Sequence, residues 1–262
     1  MPIRNPQGLR RLSDEEFTGA AYEVMRVVFA VHNELGRFFD EHIYENEIAR
    51  HLGNARTQIA LELWFESFRK KYYLDLLYSN GALFEVKANQ GVIERHRAQL
   101  LNYLLILELP HGKLVNLGTE SVQHEFVNAP LSRIDRTHFT VETSEFKDSA
   151  NTSIRLADLI VSLLRDWGTC LEVSLYEEAI SHFLGGDGAV LKPVGVFADG
   201  RGIGTQLFRL LAPDTAFKIT GFEGARVGYE TELRRLLQHT ALNQIQWVNV
   251  GRKIVTFKTL SK

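Results

Sequence analysis

The chain has 262 residues, a formal net charge of −2 and 45% hydrophobic residues. This length accommodates one large domain or two domains of about 130 residues, and the apolar content is sufficient for ordinary hydrophobic cores. The near-neutral charge argues against a protein that coats nucleic acid non-specifically.

Cys170 is the single cysteine of the chain, which excludes an internal disulfide and a cysteine-rich metal site. No run reaches the roughly 18 consecutive apolar residues of a membrane helix, and residues 1–4 do not open a signal peptide. We therefore expect a cytoplasmic protein with no membrane partner.

A helical region and a strand are predicted in the first 66 residues of the chain. Residues 31–36 and 40–45 are predicted to form a helical region that carries the carboxylate of Glu41. Residues 61–66 alternate between apolar and polar side chains, which is typical of a strand with one buried face. Trp64 in that strand is expected to pack in the core rather than to stack on a nucleic-acid base.

Residues 72–77 and 83–87 are rich in aromatic and branched apolar side chains and flank Asn80-Gly81, which indicates a β-hairpin. Two registers are open. A two-residue turn places Glu85 and Asp75 on opposite faces of the sheet. A three-residue loop over residues 79–81, with Gly81 in the left-handed conformation, places Asp75 opposite Glu85 and on the same face as Lys87.

The second register brings two carboxylates to roughly 5 Å of one another, a spacing that favours a shared hard divalent cation. Mg²⁺ fits best, with Mn²⁺ as a substitute, because it takes oxygen ligands and keeps waters that can attack a phosphate. Lys87 is expected to orient that water or to offset charge on the phosphate. The alternative is a half-exposed hairpin whose polar face has no function.

A helix is predicted over residues 95–105, and it carries Gln99 and Tyr103 four residues apart and therefore on one face. A further strand is predicted at residues 113–118. With these elements the chain resembles the PD-(D/E)XK nuclease superfamily over about residues 18–127, and in particular its small bacterial GxxExxY branch. The polar residues that carry the resemblance, in chain order, are Glu41, Asp75, Glu85, Lys87, Gln99 and Tyr103.

The resemblance implies an α/β fold with a restriction-endonuclease-like core, a mixed sheet flanked by helices. It also implies a Mg²⁺-dependent nuclease that hydrolyses phosphodiester bonds, with nucleic acid, expected to be DNA, as its partner. In this family pattern Glu41, Asp75 and Glu85 are the metal ligands, Lys87 is the catalytic lysine, and Gln99 with Tyr103 forms the motif beside the site. Phe38, where the branch has Gly, and Tyr73, where an Arg is expected, depart from the pattern.

The second half of the chain resembles the first when the sequence is shifted by 132 residues. Residues 34–53 then align without a gap on residues 166–185, and Tyr44 falls on Tyr176. Further along, apolar positions remain apolar, whereas the polar residues of the candidate site are replaced. The replacements are Glu41 by Val173, Asp75 by Arg209, Glu85 by Lys218, Lys87 by Thr220, Gln99 by Glu232 and Tyr103 by Leu236.

We therefore predict a duplicated fold forming an intrachain pseudo-dimer. Residues 1–130 form a nuclease-like domain with an intact site, residues 131–150 a linker, and residues 151–262 a degenerate copy without the metal site. Within the linker, the alternating residues 138–143 are a candidate strand. Arg209 and Lys218 reverse the local charge, which favours phosphate rather than a metal ion. The alternative is a chance likeness between amphipathic helices that end in glycine.

The leading hypothesis is thus a metal-dependent nuclease with an inactive second copy. Its rival is a nuclease-derived, non-catalytic module that binds nucleic acid or scaffolds proteins, and a more distant option is an unrelated α/β protein. The sequence leaves open DNA or RNA, exo- or endonuclease action, substrate specificity, the biological pathway and homo-oligomerisation.

Overall fold

The computed structural model describes residues 3–147, 151–224 and 227–262. The chain divides into two compact units, Met1–Arg133 and Ile134–Lys262, each with a six-stranded mixed sheet. The mixed α/β architecture predicted from the sequence is confirmed. None of the helices in the described part of the chain combines the length and the apolar character that a membrane span requires.

The first unit contains three helices and six strands among its described residues. In chain order these are β1 (Ile3–Arg4), α1 (Asp14–Leu35), α2 (Glu41–Leu52), β2 (Ala55–Phe65), β3 (Phe68–Tyr78), β4 (Ala82–Lys87), α3 (Glu94–Leu107), β5 (His111–Asn116) and β6 (Gln123–Asn128). The predicted hairpin, the helix after it and the following strand correspond to β3 with β4, α3 and β5.

Local sequence signals set the bounds of α1. The Ser13 hydroxyl accepts a hydrogen bond from Glu16 N (3.2 Å), and the Glu16 carboxylate accepts one from Ser13 N (2.8 Å), which forms a capping box. The helix ends at Gly36, whose φ of 74° suits a residue without a β-carbon. Between these ends, apolar side chains at helical spacing are buried in the core: Phe17, Ala21, Val24, Met25, Val28 and Val31.

The strands of the first sheet lie in the order β1-β2-β3-β4-β5-β6. All neighbours are antiparallel except β4 and β5, which are parallel and are joined by the crossover helix α3. Leu83 of β4 pairs with Gly112 of β5, and a β-carbon on Gly112 would lie 3.0 Å from Leu100 of α3. Because strand side chains alternate, α3 covers the face of β4 that also carries Glu85 and Lys87.

The second half of the chain repeats this arrangement of elements. It contains α4 (Arg133–Thr137), β7 (Thr140–Glu145), α5 (Asn151–Trp167), α6 (Val173–Phe183), α7 (Asp187–Val190), β8 (Leu191–Ala198), β9 (Arg201–Ala212), β10 (Thr215–Thr220), α8 (Val227–Gln238), β11 (Gln244–Val250) and β12 (Ile254–Ser261). Its sheet has the order β7-β12-β11-β10-β9-β8.

Five consecutive strands pair in the same way in both sheets. In the second, β8, β9 and β10 are antiparallel neighbours, β10 and β11 are parallel across α8, and β12 is antiparallel to β11. The register of the parallel pair also agrees, since Lys87 lies opposite Asn116 and Thr220 lies opposite Asn249. The sixth strand differs, because β1 extends the first sheet beside β2 whereas β7 extends the second beside β12.

The stretch predicted as a linker, residues 131–150, includes a strand that overlaps the candidate strand at residues 138–143. It contains α4 and β7, and β7 pairs in parallel with β12, with Val141 opposite Val255. The alternating residues of this stretch therefore complete a sheet edge whose partner lies more than a hundred residues away in sequence. Residues 148–150 of the predicted linker lie outside the described residues.

Candidate metal-dependent active site

The hairpin of β3 and β4 adopts the register that brings the acidic residues together. Leu76 pairs with Phe84 and Tyr78 with Ala82, which leaves a three-residue loop over residues 79–81 and sets Asp75 opposite Glu85. The prediction that Gly81 is left-handed is wrong. The positive φ angles belong to Ser79 (48°) and Asn80 (57°).

Gly81 has a different role from the one predicted. A β-carbon at this position would lie 2.6 Å from Leu12 Cγ and 2.7 Å from the carbonyl oxygen of Arg10. The segment before α1 passes so close to the loop that only glycine fits there. The requirement is steric and long-range, so the local turn sequence did not reveal it.

Lys87 lies at the centre of the candidate site. Its Nζ lies 2.7 Å from Glu85 Oε1, 3.1 Å from Asp75 Oδ2 and 3.5 Å from Glu41 Oε2. The side chain of Glu85 is fully buried, and those of Asp75 and Lys87 are at most 10% exposed. The structure thus brings together four of the six predicted site residues.

Backbone groups fix Asp75 and Lys87. Asp75 Oδ2 accepts a hydrogen bond of 2.9 Å from Val86 N, and Lys87 Nζ donates one of 2.9 Å to Val86 O. Glu85 Oε2, by contrast, is buried and has no hydrogen-bond partner among the described residues. A buried carboxylate oxygen without a partner is costly, which indicates that the site is built to receive a further positive group.

Glu41 reaches the cluster from the first turn of α2, where the helix dipole favours a negative charge. Its Oε1 accepts hydrogen bonds from Ala88 N (3.4 Å) and Asn89 Nδ2 (3.3 Å). The buried side chain of Asn116 in turn holds Asn89, accepting from its N–H and donating to its carbonyl oxygen at 3.0 Å each. The loop after β4 therefore positions the third carboxylate.

The buried charges alter one another's protonation. Burial, followed by the charge of Asp75, raises the pKa of Glu85 to about 8. Burial also raises the pKa of Asp75 against the opposing effect of Lys87. Burial acts to lower the pKa of Lys87, but the charges of Glu85 and Asp75 outweigh it, so the pKa of this ammonium is raised and it stays protonated.

The donor set fits a hard divalent cation. Three carboxylates contribute oxygen ligands, one of their oxygens lacks a partner, and the single ammonium leaves their charge incompletely balanced. The carboxylate oxygens of Glu41, Asp75 and Glu85 surround Lys87 but do not all lie within 4.8 Å of one another. Among the described residues, Glu34, Glu47 and His51 are the group whose ligand atoms do. Glu47 there is already paired with Arg50 at 2.6 Å on the helix surface.

Gln99 and Tyr103 lie on α3, the helix that covers the face of Glu85 and Lys87. Gln99 Nε2 donates a hydrogen bond of 3.1 Å to the Tyr103 hydroxyl, and the Tyr103 ring packs on Tyr72 of β3 with centroids 5.4 Å apart. The cavity of about 650 Å³ beside Asp75 is lined instead by residues of α2, β2 and the loop after β4. The two residues therefore lie on the neighbouring helix and do not line the cavity.

Sequence reasoning missed Glu45 and Gln58. Both line the cavity with Glu41 and Asp75, and Gln58 Nε2 donates a hydrogen bond of 2.7 Å to Glu45 Oε2. Burial, opposed by this hydrogen bond, raises the pKa of Glu45. Its spacing of four residues from Glu41 on one helix face was a usable signal. The position of Gln58 depends on a φ of 49° within a strand, which no sequence pattern indicated.

The corresponding place in the second unit contains a different set of charges. Arg209 Nη1 lies 3.3 Å and Lys218 Nζ 3.5 Å from the carboxylate oxygens of Glu177, the counterpart of Glu45. Thr220, in place of the lysine, donates a hydrogen bond to Asn249 Oδ1 and accepts one from Trp247 Nε1, both at 2.9 Å. Two cations and one carboxylate do not form a metal site.

Fold and site together define a restriction-endonuclease-like α/β domain in the first unit. Residues 18–128 match the model of the PD-(D/E)XK nuclease superfamily. No curated protein matches the chain. Among solved structures, the crystal structure of SSO0001 matches at 18% identity with a TM-score of 0.29, over 46% of this chain and 61% of that chain. The chain thus spans less than two thirds of that structure's length.

Proposed function

We propose that the first unit is a metal-dependent nuclease that hydrolyses phosphodiester bonds, with Mg²⁺, or Mn²⁺ in its place, held by Glu41, Asp75 and Glu85. One observation carries the proposal. Two carboxylates on neighbouring strands and one from a helix end converge on a single buried ammonium, and one of their oxygens has no partner. The superfamily match supports the same chemistry.

The residues of the site have distinct roles in this proposal. A divalent cation bound there supplies positive charge to phosphate oxygens and makes a bound water more acidic. Lys87, kept protonated, donates hydrogen bonds and stabilises negative charge on the phosphate instead of acting as a base. The Val86 N–H and Asn89 keep Asp75 and Glu41 aimed at the cavity. Gln99 and Tyr103 keep α3 in place over the site.

We further infer that the second unit, from about residue 151, is a degenerate copy of the first and makes the chain an intrachain pseudo-dimer. The shared strand pairing and register support this inference, as does the loss of paired carboxylates at Arg209 and Lys218. DNA as substrate, the GxxExxY branch, cytoplasmic location and homo-oligomerisation belong to the same proposal.

A second candidate function is a nuclease-derived module that binds nucleic acid or another protein without cleaving it. It is favoured by the position of Lys87, whose ammonium already pairs with both strand carboxylates. In that case the cluster acts only as a buried ion network. The two candidates differ in whether a divalent cation binds.

The test uses the full chain with single- and double-stranded DNA and RNA in Mg²⁺ or Mn²⁺. Wild type is compared with Asp75→Asn, which keeps the shape and removes the charge, and with Glu142→Gln on the exposed strand β7 as the control. We expect Asp75→Asn to lower the cleavage rate at least about a hundred-fold, because it removes charge placed for the transition state. The control should cleave at the wild-type rate.

Calorimetric titration with Mn²⁺ provides a readout that is independent of activity. Wild type should bind the ion, and Asp75→Asn should bind it far more weakly. Cleavage that persists in Asp75→Asn would refute the proposed site. Absence of both cleavage and Mn²⁺ binding in wild type would favour the non-catalytic module.

A further inference from the structure

The second unit has its own cleft, with a volume of about 200 Å³, between β9, β10 and α8. One wall carries the charged side chains of Glu177, Arg209 and Lys218, and another carries Phe208, Tyr229 and Leu233. All of these residues belong to the second unit. The cleft therefore combines a charged wall with an apolar one.

The cleft borders the two strands that correspond to those carrying the carboxylate cluster of the first unit. Its strands β9 and β10 are antiparallel neighbours, as β3 and β4 are, although their register shifts between Thr215 and Ala216. Glu177 on α6 occupies the place of Glu45 on α2. The first site presents three carboxylates around one ammonium, whereas the second presents two cations around one carboxylate. A place that favours a metal cation in one unit favours an anion in the other.

The two cations are held in a fixed arrangement. Glu177 lies between them, 3.3 Å from Arg209 Nη1 and 3.5 Å from Lys218 Nζ, and Arg209 Nε also donates a hydrogen bond of 3.2 Å to Ser181 Oγ. The Glu177 side chain is 13% exposed, but those of Arg209 and Lys218 are 27% and 44% exposed. The carboxylate is thus covered while both cations face solvent. A preorganised guanidinium beside an ammonium suits a phosphate group.

The apolar wall is rigid and partly exposed. The Tyr229 ring packs against Phe222 (4.9 Å between centroids) and Trp247 (5.6 Å), which fixes its position on α8. Phe208 lies next to Arg209 on β9 and is half-buried. An aromatic wall next to a phosphate-binding pair is the combination that single-stranded nucleic acids use, with bases on rings and phosphates on cations.

We propose that this cleft binds a nucleotide of an unpaired nucleic-acid strand. The phosphate lies on Arg209 and Lys218, and the base lies against Phe208 and Tyr229. The identification of the ligand as nucleic acid rests on the proposed function of the first unit, but binding here requires no metal ion. A cleft of about 200 Å³ suits a single unpaired base better than a stacked base pair.

The test is equilibrium binding of a fluorescent single-stranded oligonucleotide to the full chain in EDTA, which removes the metal-dependent contribution of the first unit. The double variant Arg209→Gln with Lys218→Gln is compared with Arg234→Gln and Arg235→Gln together, a matched loss of two charges on the exposed surface of α8. We expect the cleft variant to bind about tenfold more weakly. The slope of its salt dependence should fall by about 0.7 for each phosphate that is no longer neutralised. The control should retain the wild-type slope.

Glu177→Gln should change the affinity for the oligonucleotide in the opposite direction. It removes the one negative charge beneath the two cations and keeps the side-chain shape, so the oligonucleotide should bind about threefold more tightly or better. A purely structural ion pair predicts unchanged or weaker binding. This variant also keeps the inference testable if the double variant fails to fold, which its unfolding curve will reveal.

Two comparisons identify the ligand class. Inorganic polyphosphate of equal charge, which has no bases, should compete less well than the oligonucleotide, and so should a duplex of the same sequence. Equal competition by polyphosphate would overturn the nucleotide assignment, and wild-type affinity in the cleft variant would overturn the site. Glu142→Gln, on the exposed strand β7, should bind the strand in EDTA as wild type does. If cleavage is absent but this binding pattern holds, the nuclease proposal fails and the inference stands.

Discussion

The two units share a framework and differ in the chemistry that it carries. In the first, the Tyr44 hydroxyl donates to Gly36 O (2.8 Å) and accepts from Phe39 N (3.2 Å). In the second, the Tyr176 hydroxyl donates to Gly168 O (2.6 Å) and accepts from Leu171 N (3.3 Å). A hydrogen-bond pattern that is repeated at both places serves the fold, because it persists where the carboxylates do not.

Strands β4 and β10 show where the units diverge. Every residue of β4 is buried, including Glu85 and Lys87, whereas Lys218 of β10 is half-exposed and Thr220 is paired within the core. Burying carboxylates with one ammonium lowers stability unless the charges are compensated. The second unit has the same framework without buried paired carboxylates, so the fold does not require them. The first unit retains this destabilising cluster, which indicates that the cluster serves a function.

The largest expected difference between the units concerns Lys87 and Thr220, which occupy matching positions. Lys87→Met should destabilise the first unit by about 3–5 kcal/mol in metal-free buffer, because it leaves Asp75 and Glu85 buried without their cation. Thr220→Val should cost the second unit about 1–2 kcal/mol, the value of its two hydrogen bonds. Urea unfolding measures both.

Tryptophan fluorescence separates the two unfolding transitions in that experiment. Trp64 reports on the first unit, whereas Trp167 and Trp247 report on the second. Repeating the measurement in a Trp64→Phe variant removes the tryptophan signal of the first unit and so identifies which transition belongs to which unit. A loss of less than about 1 kcal/mol in Lys87→Met would show that the carboxylates do not depend on the ammonium.

Much of this framework followed from the sequence. The hairpin register could be narrowed to two alternatives because strand alternation and turn length allow few choices, and the polar residues selected the one that the structure adopts. The alignment of Tyr44 with Tyr176 likewise identified positions with the same hydrogen bonds. Local periodicity and spacing were sufficient for these features.

Long-range packing accounts for what the sequence did not reveal. Gly81 is required by the approach of residues 10–12. The alternation of residues 138–143 indicated a strand, but not that β7 pairs with β12 at the far end of the chain. The partnership of Glu45 with Gln58 depends on an unusual backbone angle. In each case the determining interaction joins segments whose proximity no local pattern encodes.

An intermediate effect is expected at Asn116 and Asn249, buried amides that hold the loop after β4 and β10 respectively. Asn249 accepts from Phe222 N (2.8 Å) and donates to Phe222 O (3.0 Å), as Asn116 does with Asn89. Alanine at either position should cost its unit about 2–3 kcal/mol, because a buried amide loses two hydrogen bonds to partly buried backbone groups. Urea unfolding of each variant tests whether the two losses in the free energy of unfolding are equal.

The rate of cleavage should distinguish Asn116→Ala from Asn249→Ala, although both variants should lose a similar amount of stability. Asn116→Ala releases Asn89, which donates to Glu41, so cleavage should fall about tenfold or more at a temperature where the variant is folded. Asn249→Ala should cleave at the wild-type rate. Equal loss of cleavage in both variants would contradict a division of labour between the units.

The smallest expected effect concerns the repeated tyrosines. Tyr44→Phe and Tyr176→Phe each remove a hydroxyl that bonds to a backbone carbonyl and a backbone N–H, so each should destabilise its unit by about 1–2 kcal/mol. The ring of each tyrosine remains buried, which confines the change to the hydrogen bonds. Because the hydrogen bonds match pair by pair, the two losses should agree within about 0.5 kcal/mol when each is read from its own unfolding transition. A loss in one unit alone would show that the shared geometry is not a shared energetic requirement, and the two units would then differ in their packing as well as in their charges.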